Sequence, residues 1–266
     1  MPITILMPMA GRGSRFARDG IDVPKPMIPV CGIPMFRLAL ASLRHALPDA
    51  AVVCVDLAEH EAAFAIGDRL RETEPRARIV AIPEVTGGAL ETCLAASDAC
   101  EGALVVLDCD LTFAAPAYIE RLRAMAAGED DSTGLLLSFR SREPQYSYAL
   151  VENDRVVQTA EKQAISDRAL TGAYGFGDAG RFFAAVRDIV ERNLRTGNGE
   201  YYVSSVYNAL IAAGGTVRIA DVERMWSVGT PEELGDALRD PAFPAHLRSL
   251  DLKPDAESAF TPVFPA

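Results

Sequence analysis

Along the first part of the chain, short runs of consecutive apolar residues alternate with stretches in which apolar residues recur every three or four positions. The runs are Ile3 to Met7, Ala51 to Asp56, Ala77 to Ile82 and Ala103 to Leu107. Each has the length of a strand, and unbroken apolar character predicts strands covered on both faces. Between them the spacing predicts helices over Pro34 to Leu47, Glu59 to Thr73 and Ala89 to Ala99; in the first, Phe36, Leu40, Leu43 and Leu47 share one face, while Gly67 weakens the second. Strands that alternate with helices imply right-handed crossovers and a mostly parallel sheet. The pattern then changes. Gly134 to Arg140, Tyr146 to Val151, Val156 to Ala160 and Ala169 to Phe176 are strand-like with no helix between them, and Glu152-Asn153-Asp154-Arg155 reads as a hairpin turn. They predict an antiparallel or mixed extension of the sheet. Helices follow over Ala179 to Arg195, Tyr202 to Ala213 and Pro231 to Arg239. From Asp240 to Ala266 there are five prolines and little periodicity, which reads as an irregular tail packed on the body or on a partner subunit of a homo-oligomer. The expected architecture is a three-layer α/β/α domain over residues 1–239, with a mostly parallel, mixed central sheet, and a tail over 240–266.

Composition narrows the class. At 266 residues, 49% hydrophobic and 24% charged, the chain can build one large core. Its formal net charge of −11 argues against nucleic acid as a partner, since a nucleic-acid binder needs a basic face. Cys31, Cys54, Cys93, Cys100 and Cys109 are odd in number and lack CxxC spacing, which suits reduced thiols in a cytoplasmic setting. The amino-terminal apolar run is far shorter than the roughly 20 residues of a membrane span, so no membrane is expected. Arginine supplies nearly all the basic charge. Lysine occurs only as Lys25, Lys162 and Lys253, which draws attention to the first two, because a compact ammonium is not interchangeable with a guanidinium.

The first apolar run ends in Ala10-Gly11-Arg12-Gly13-Ser14-Arg15. Glycines allow a backbone to wrap its N–H groups around an anion, and Arg12, Arg15 and Lys25 add charge suited to phosphate oxygens. Two familiar glycine-rich loops do not fit. The dinucleotide fingerprint needs a glycine where Phe16 stands, and the P-loop needs Gly-Lys-Ser/Thr. Lys25 lies between Pro24 and Pro26, whose rings stiffen the backbone that presents it. The fourth strand ends in Asp108-Cys109-Asp110; at i and i+2 in extended backbone, the two carboxylates can approach one Mg²⁺. Both segments follow strand ends, where open α/β sheets bind ligands.

Met9-Ala10-Gly11-Arg12-Gly13-Ser14-Arg15-Phe16, followed by Pro24-Lys25-Pro26-Met27-Ile28-Pro29-Val30 and Gly32-Ile33-Pro34-Met35, resembles the signature of the sugar-phosphate nucleotidylyltransferases. The resemblance implies a nucleotide-diphospho-sugar transferase-like fold. It implies that Met9 to Ser14 hold a nucleoside triphosphate, with Arg15 and Lys25 over its phosphates and Asp110 on the metal. Asp108 supports the nucleotide side and, with Glu200, is a further candidate for the metal. Thr86-Gly87-Gly88-Ala89-Leu90-Glu91-Thr92 is similar to the family's second glycine turn, so Gly87, Gly88 and Thr92 are expected beside the base and ribose. Glu161-Lys162 and Gly172-Ala173-Tyr174 resemble the acceptor side, where Glu161, Lys162, Gly172 and Tyr174 would meet a phosphorylated small molecule. Gly199 to Ser205 and Trp226 to Leu234 extend the resemblance to roughly residue 238. One departure stands out: many relatives carry an aspartate as second metal ligand where this chain has Ser227. Either the ion leans on Asp110, triphosphate oxygens and water, or Glu200, Asp221 or Glu223 substitutes. His45, His60 and His246 form no cluster and receive no catalytic role.

The resulting expectation is an Mg²⁺-dependent enzyme that moves a nucleoside monophosphate from an NTP to a phosphorylated acceptor and releases pyrophosphate, the expected acceptor being a sugar 1-phosphate in nucleotide-sugar or surface-polysaccharide synthesis. Alternatives are a cytidylyltransferase with a non-sugar acceptor, a nucleotide-sugar-dependent glycosyltransferase, and a silent nucleotide-sensing subunit. The residues do not name the base.

Overall fold

The computed structural model describes residues 1–253. In its first strand, Ile3–Pro8 (β1), Ile5 and Met7 enter one core and Leu6 the opposite one, and all three are fully buried. A strand covered on both faces needs helices on both. The chain supplies them in order. After β1 come the helix Ser14–Arg18 (α1), the small hairpin Pro29–Val30 (β2) and Ile33–Pro34 (β3), the helix Met35–Arg44 (α2), the strand Ala51–Leu57 (β4), the helices Ala58–Phe64 (α3) and Ile66–Arg71 (α4), the strand Arg78–Ile82 (β5), the helix Ala89–Leu94 (α5) and the strand Ala103–Leu107 (β6). The second half runs Leu111–Ala114 (β7), Pro116–Ala127 (α6), Gly134–Arg140 (β8), Ser147–Glu152 (β9), Arg155–Glu161 (β10), Arg168–Phe176 (β11), Ala179–Glu191 (α7), Ser205–Ala212 (α8), Val217–Asp221 (β12), Arg224–Ser227 (β13), Pro231–Arg239 (α9) and Phe243–Ser249 (α10).

β6, β1, β4 and β5 lie side by side and parallel. β11 joins antiparallel to β6, and the hairpin β9–β10 continues from it. β8 also pairs with β11 and carries β12 parallel to itself. Side chains from α2, α4 and α6 fill one face of this sheet, and those from α5, α7 and α8 fill the other. The three-layer, mixed-sheet expectation therefore holds. The order leaves β1 for β4 on one side and returns to β6 on the other. A crevice opens beyond the carboxyl ends of β1 and β6 for that reason.

Several boundaries differ from the sequence pattern. The helix expected over Glu59 to Thr73 breaks at Ala65, which sits in the left-handed region (φ 48°, ψ 47°). Gly67 is helical instead, and its N–H donates to the Glu61 carboxylate at 2.8 Å. The helix after Gly88 ends at Leu94, short of Ala99. The hairpin turn between β9 and β10 is where expected, with Asn153 and Asp154 both at positive φ, as a tight two-residue turn requires.

The largest correction concerns the segment expected to be an irregular tail. Residues 243–249 are helical, and Phe243 and Leu247 are buried. Together with Trp226, Val228 and Leu234 they form a third apolar core that also takes in Phe16, Ile21, Ile28, Val30 and Ile33. His246 Nε2 meets the Thr112 hydroxyl at 2.8 Å, and Trp226 Nε1 donates to Asp240 at 2.8 Å. The carboxyl-terminal helices thus prop the loop that carries Lys25 and the two-stranded ribbon β7–β13. The rest of the expected tail, 254–266, lies outside the described residues. Among the described residues no helix is long and apolar enough to cross a membrane.

Candidate active site

Past β1 the backbone turns at Gly13, which adopts φ 60°, ψ 35° and opens α1. A side chain there would press on Cβ of Lys25 at 3.0 Å, so the glycine loop and the proline-flanked segment lie directly against one another. Lys25-Pro26-Met27 forms one tight helical turn, with Pro24 just before it. From that turn the Lys25 ammonium reaches the Asp110 carboxylate and pairs with it. Eighty-five residues separate the two in sequence. The segments flagged separately by glycine, proline and acid patterns thus meet at one point.

Two glycines make room for the acids. The Asp108 N–H donates to the Gly172 carbonyl at 2.9 Å, and a Cβ on Gly172 (φ 101°) would stand 2.6 Å from Oδ2 of Asp108. A Cβ on Gly229 would come closer than 3.0 Å to Oδ2 of Asp110. The Val228 N–H donates to the Asp110 carbonyl at 2.8 Å, which fixes this approach.

Two cavities meet here. The first, of about 380 Å³, is lined by Met9, Gly11, Gly13, Ser14, Arg15 and Lys25 with Asp108 and Asp110. The second, of about 1000 Å³, is lined by Glu161, Gly172, Tyr174 and Tyr202 among others. Arg15, Asp108, Asp110 and Gly229 border both. They stand at the junction of one bilobed cleft.

Charge in the cleft is finely opposed. Burial pulls the Lys25 ammonium toward its neutral form, but Asp110, with Cys109 and Asp108 behind it, outweighs burial and raises its pKa. Lys25 is therefore a fixed cation. Burial, with Asp110 adding, raises Asp108 well above the carboxylate range against the pull of Lys25. The Cys109 thiol, pushed up to about 12 chiefly by burial, is no thiolate nucleophile. Burial likewise raises Glu161, which accepts hydrogen bonds from Ser147 and, at 3.1 Å, from Ser204.

Some expected site residues lie elsewhere. Arg12 points outward and pairs with Glu59 at 3.5 Å. Ala10 is buried beneath the loop. Gly87 and Gly88 line neither cavity; a Cβ on Gly88 would strike the Tyr201 backbone, so that turn is held by chain-to-chain packing. Thr92 is buried, and its hydroxyl is engaged with Thr86 and the Gly88 carbonyl. Lys162 does not line the second cavity; its ammonium donates to the Tyr202 hydroxyl at 2.7 Å. Glu200 lines neither. Asp221 is taken by Arg168 and by Ser138 at 2.8 Å, and Glu223 precedes the far end of β13 from Ser227. Sequence reasoning passed over Gly229, Ser147, Arg18 and Glu233, all of which border the cleft. The only signal for Gly229 and Glu233 is their place in the segment Trp226 to Leu234.

Comparison with known proteins gives this geometry a context. The MobA-like NTP transferase domain matches residues 5–173. The chain belongs to that family. The resemblance to the sugar-phosphate nucleotidylyltransferases holds with it. The chain is 24% identical over 245 residues to Bifunctional protein GlmU of Novosphingobium aromaticivorans, covering 89% of this chain and 52% of that protein. Against the GlmU of Gluconacetobacter diazotrophicus it is 28% identical over 250 residues, covering 89% and 50%. It spans about half the length of these curated relatives. Among solved structures, a nucleoside-diphosphate-sugar pyrophosphorylase from Vibrio cholerae superposes with TM-score 0.77 at 25% identity, covering 89% of this chain and all of the other. The inositol-1-phosphate CTP transferase from T. maritima superposes at 0.69 with 16% identity, covering 94% and 96%, and shares the fold.

Proposed function

We propose that this chain transfers a nucleoside monophosphate from an NTP to a phosphorylated small molecule and releases pyrophosphate. The observation that carries the reading is the bilobed cleft whose two halves join at Arg15, Asp108 and Asp110. In the reaction an acceptor phosphate oxygen bonds to the α-phosphorus as the α–β bridging bond breaks, and its electron pair leaves with pyrophosphate. Anion attacks anion, so the site's task is to offset negative charge and hold the partners in line.

The chain's own groups suit that task. Backbone N–H groups of the loop over Gly11 to Ser14 cradle the triphosphate, and Arg15 and Lys25 bear on its oxygens. Lys25 would exchange its Asp110 contact for phosphate when nucleotide enters. The second lobe takes the acceptor: Glu161, held by Ser147 and Ser204, accepts from a hydroxyl of it, and Arg15 at the junction meets its phosphate. No nucleophilic side chain is needed.

The site is suited to Mg²⁺. Asp110 offers hard carboxylate oxygens at the junction of the two lobes, with Asp108 behind it. When bound, the ion would neutralise charge on the triphosphate and activate the α-phosphorus. The acceptor we favour is a sugar 1-phosphate, in nucleotide-sugar synthesis that supplies surface polysaccharide. The name of the Vibrio cholerae neighbour, a nucleoside-diphosphate-sugar pyrophosphorylase, supports a sugar phosphate. A cytoplasmic location suits such substrates and five free thiols.

The test is a panel in which each of CTP, UTP, dTTP and GTP is mixed with Mg²⁺ and a set of sugar 1-phosphates and other phosphorylated acceptors, and pyrophosphate is measured. Release that needs both substrates is the expected result. Cleavage of a nucleotide-sugar would point to a glycosyltransferase, and binding without turnover to a sensing subunit; either refutes the proposal.

A further inference from the structure

The second carboxylate beside Asp110 comes from α9. Thr230 caps that helix, and its hydroxyl accepts from the Glu233 N–H at 3.1 Å. In the sequence Thr230-Pro231-Glu232-Glu233 a capping box would complete itself by folding the Glu233 carboxylate back onto the Thr230 N–H. Among the described residues that bond is not made, nor does Glu233 form an ion pair. Its carboxylate reaches across Gly229 instead. A Cβ on Gly229 would stand 3.3 Å from Oε2 of Glu233 while also pressing on Oδ2 of Asp110. The two acids therefore converge over one glycine, and Lys25 neutralises only Asp110. With one Lys25 beside two carboxylates, the pair keeps a net negative charge that a further cation would offset. Ser227, which also borders this lobe, brings only a neutral hydroxyl.

We propose that Glu233 is the second protein ligand of the divalent cation that accompanies the nucleoside triphosphate, filling with Asp110 the role that Ser227 cannot. The proposal rests on the nucleotidyltransfer reading. Two carboxylates completed by triphosphate oxygens and water are a donor set suited to Mg²⁺, which seldom takes an all-protein cage. Glu232, its exposed neighbour on the same turn, is not among the groups nearest Gly229.

Mn²⁺ serves as the probe, with water-proton relaxation enhancement reporting the protein–Mn²⁺–nucleotide complex for CTP, UTP, dTTP and GTP in turn. Glu233→Gln is expected to weaken Mn²⁺ at least about tenfold, as loss of a ligand's support commonly does, with an unchanged Tm. Glu232→Gln is expected to change nothing. Adding Ser227→Asp to Glu233→Gln returns a carboxylate to the site and is expected to restore binding. Mn²⁺ affinity that survives Glu233→Gln but falls in Asp110→Asn overturns the assignment of Glu233 and leaves the reaction standing. A folded double variant no better than Glu233→Gln overturns it too. If the wild-type protein forms no Mn²⁺ complex with any of the four nucleotides, the nucleotidyltransfer reading fails and this assignment falls with it.

Discussion

Replacing Gly229 by alanine adds one methyl group at the junction of the two lobes. That methyl would approach Oδ2 of Asp110 closer than 3.0 Å, whereas ordinary contact begins at 3.4 Å. To regain contact distance the carboxylate must retreat by about 1 Å, and a displacement of that size in a reacting constellation costs roughly 100-fold in rate. The backbone at residue 229 is outside the left-handed region, so alanine adds no backbone strain. Stability should change by less than about 1 kcal/mol, which for a domain near this size shifts Tm by roughly 2–4 °C at most. The assay is kcat/KM for pyrophosphate release with the active substrate pair, alongside a thermal melt. A roughly 100-fold loss at nearly unchanged Tm is the expected outcome. A folded variant within about threefold of wild type would refute the claim that the position of Asp110 governs the reaction. A melting temperature that collapses along with activity would assign Gly229 to the fold instead.

Further outcomes follow from other contacts. Lys25→Ala removes the cation paired with Asp110 and should lower kcat by roughly 100- to 1000-fold, the scale of losing a preorganised charge donor, while the circular dichroism spectrum stays native. His246, whose pKa burial pulls down to about 4 with Arg224 adding, is neutral in the folded protein across a range where the unfolded chain takes up a proton. Its contribution is therefore complete above the ordinary value of 6.5 and is lost as pH falls toward about 4, a change of up to about 3 kcal/mol. Melts at pH 7 and 4.5 should show a smaller drop for His246→Gln than for wild type; equal drops would contradict the assignment.

The sequence made the parallel half of the sheet legible because its strands are buried on both faces, and continuous apolar runs such as Ala103 to Leu107 mark that condition directly. The Lys25–Asp110 junction was legible for a different reason: Lys25 is flanked by two prolines that constrain its backbone, and Asp110 follows directly on a strand end. What stayed hidden depends on long-range packing. Nothing local in Phe243 to Ser249 announces that Leu247 packs in one core with Ile28, thereby bracing the lysine loop. The packing of Gly88 against the Tyr201 backbone was not legible, because a Gly-Gly before a helix has the same local chemistry whatever it faces. Glu233 stands in the first turn of a helix, where an acid is ordinary, and only the path of its carboxylate over Gly229 sets it apart.

Triphosphate and metal are expected to meet between the amino-terminal cradle and the acid after β6. A crystal structure with Mg²⁺ and a bound nucleoside triphosphate would decide this. The α-phosphorus should lie at the junction of the lobes, with Lys25 and Arg15 on its oxygens and Asp110 on the ion. A triphosphate seated against the Gly87–Gly88 turn, with Lys25 still paired to Asp110, would contradict it.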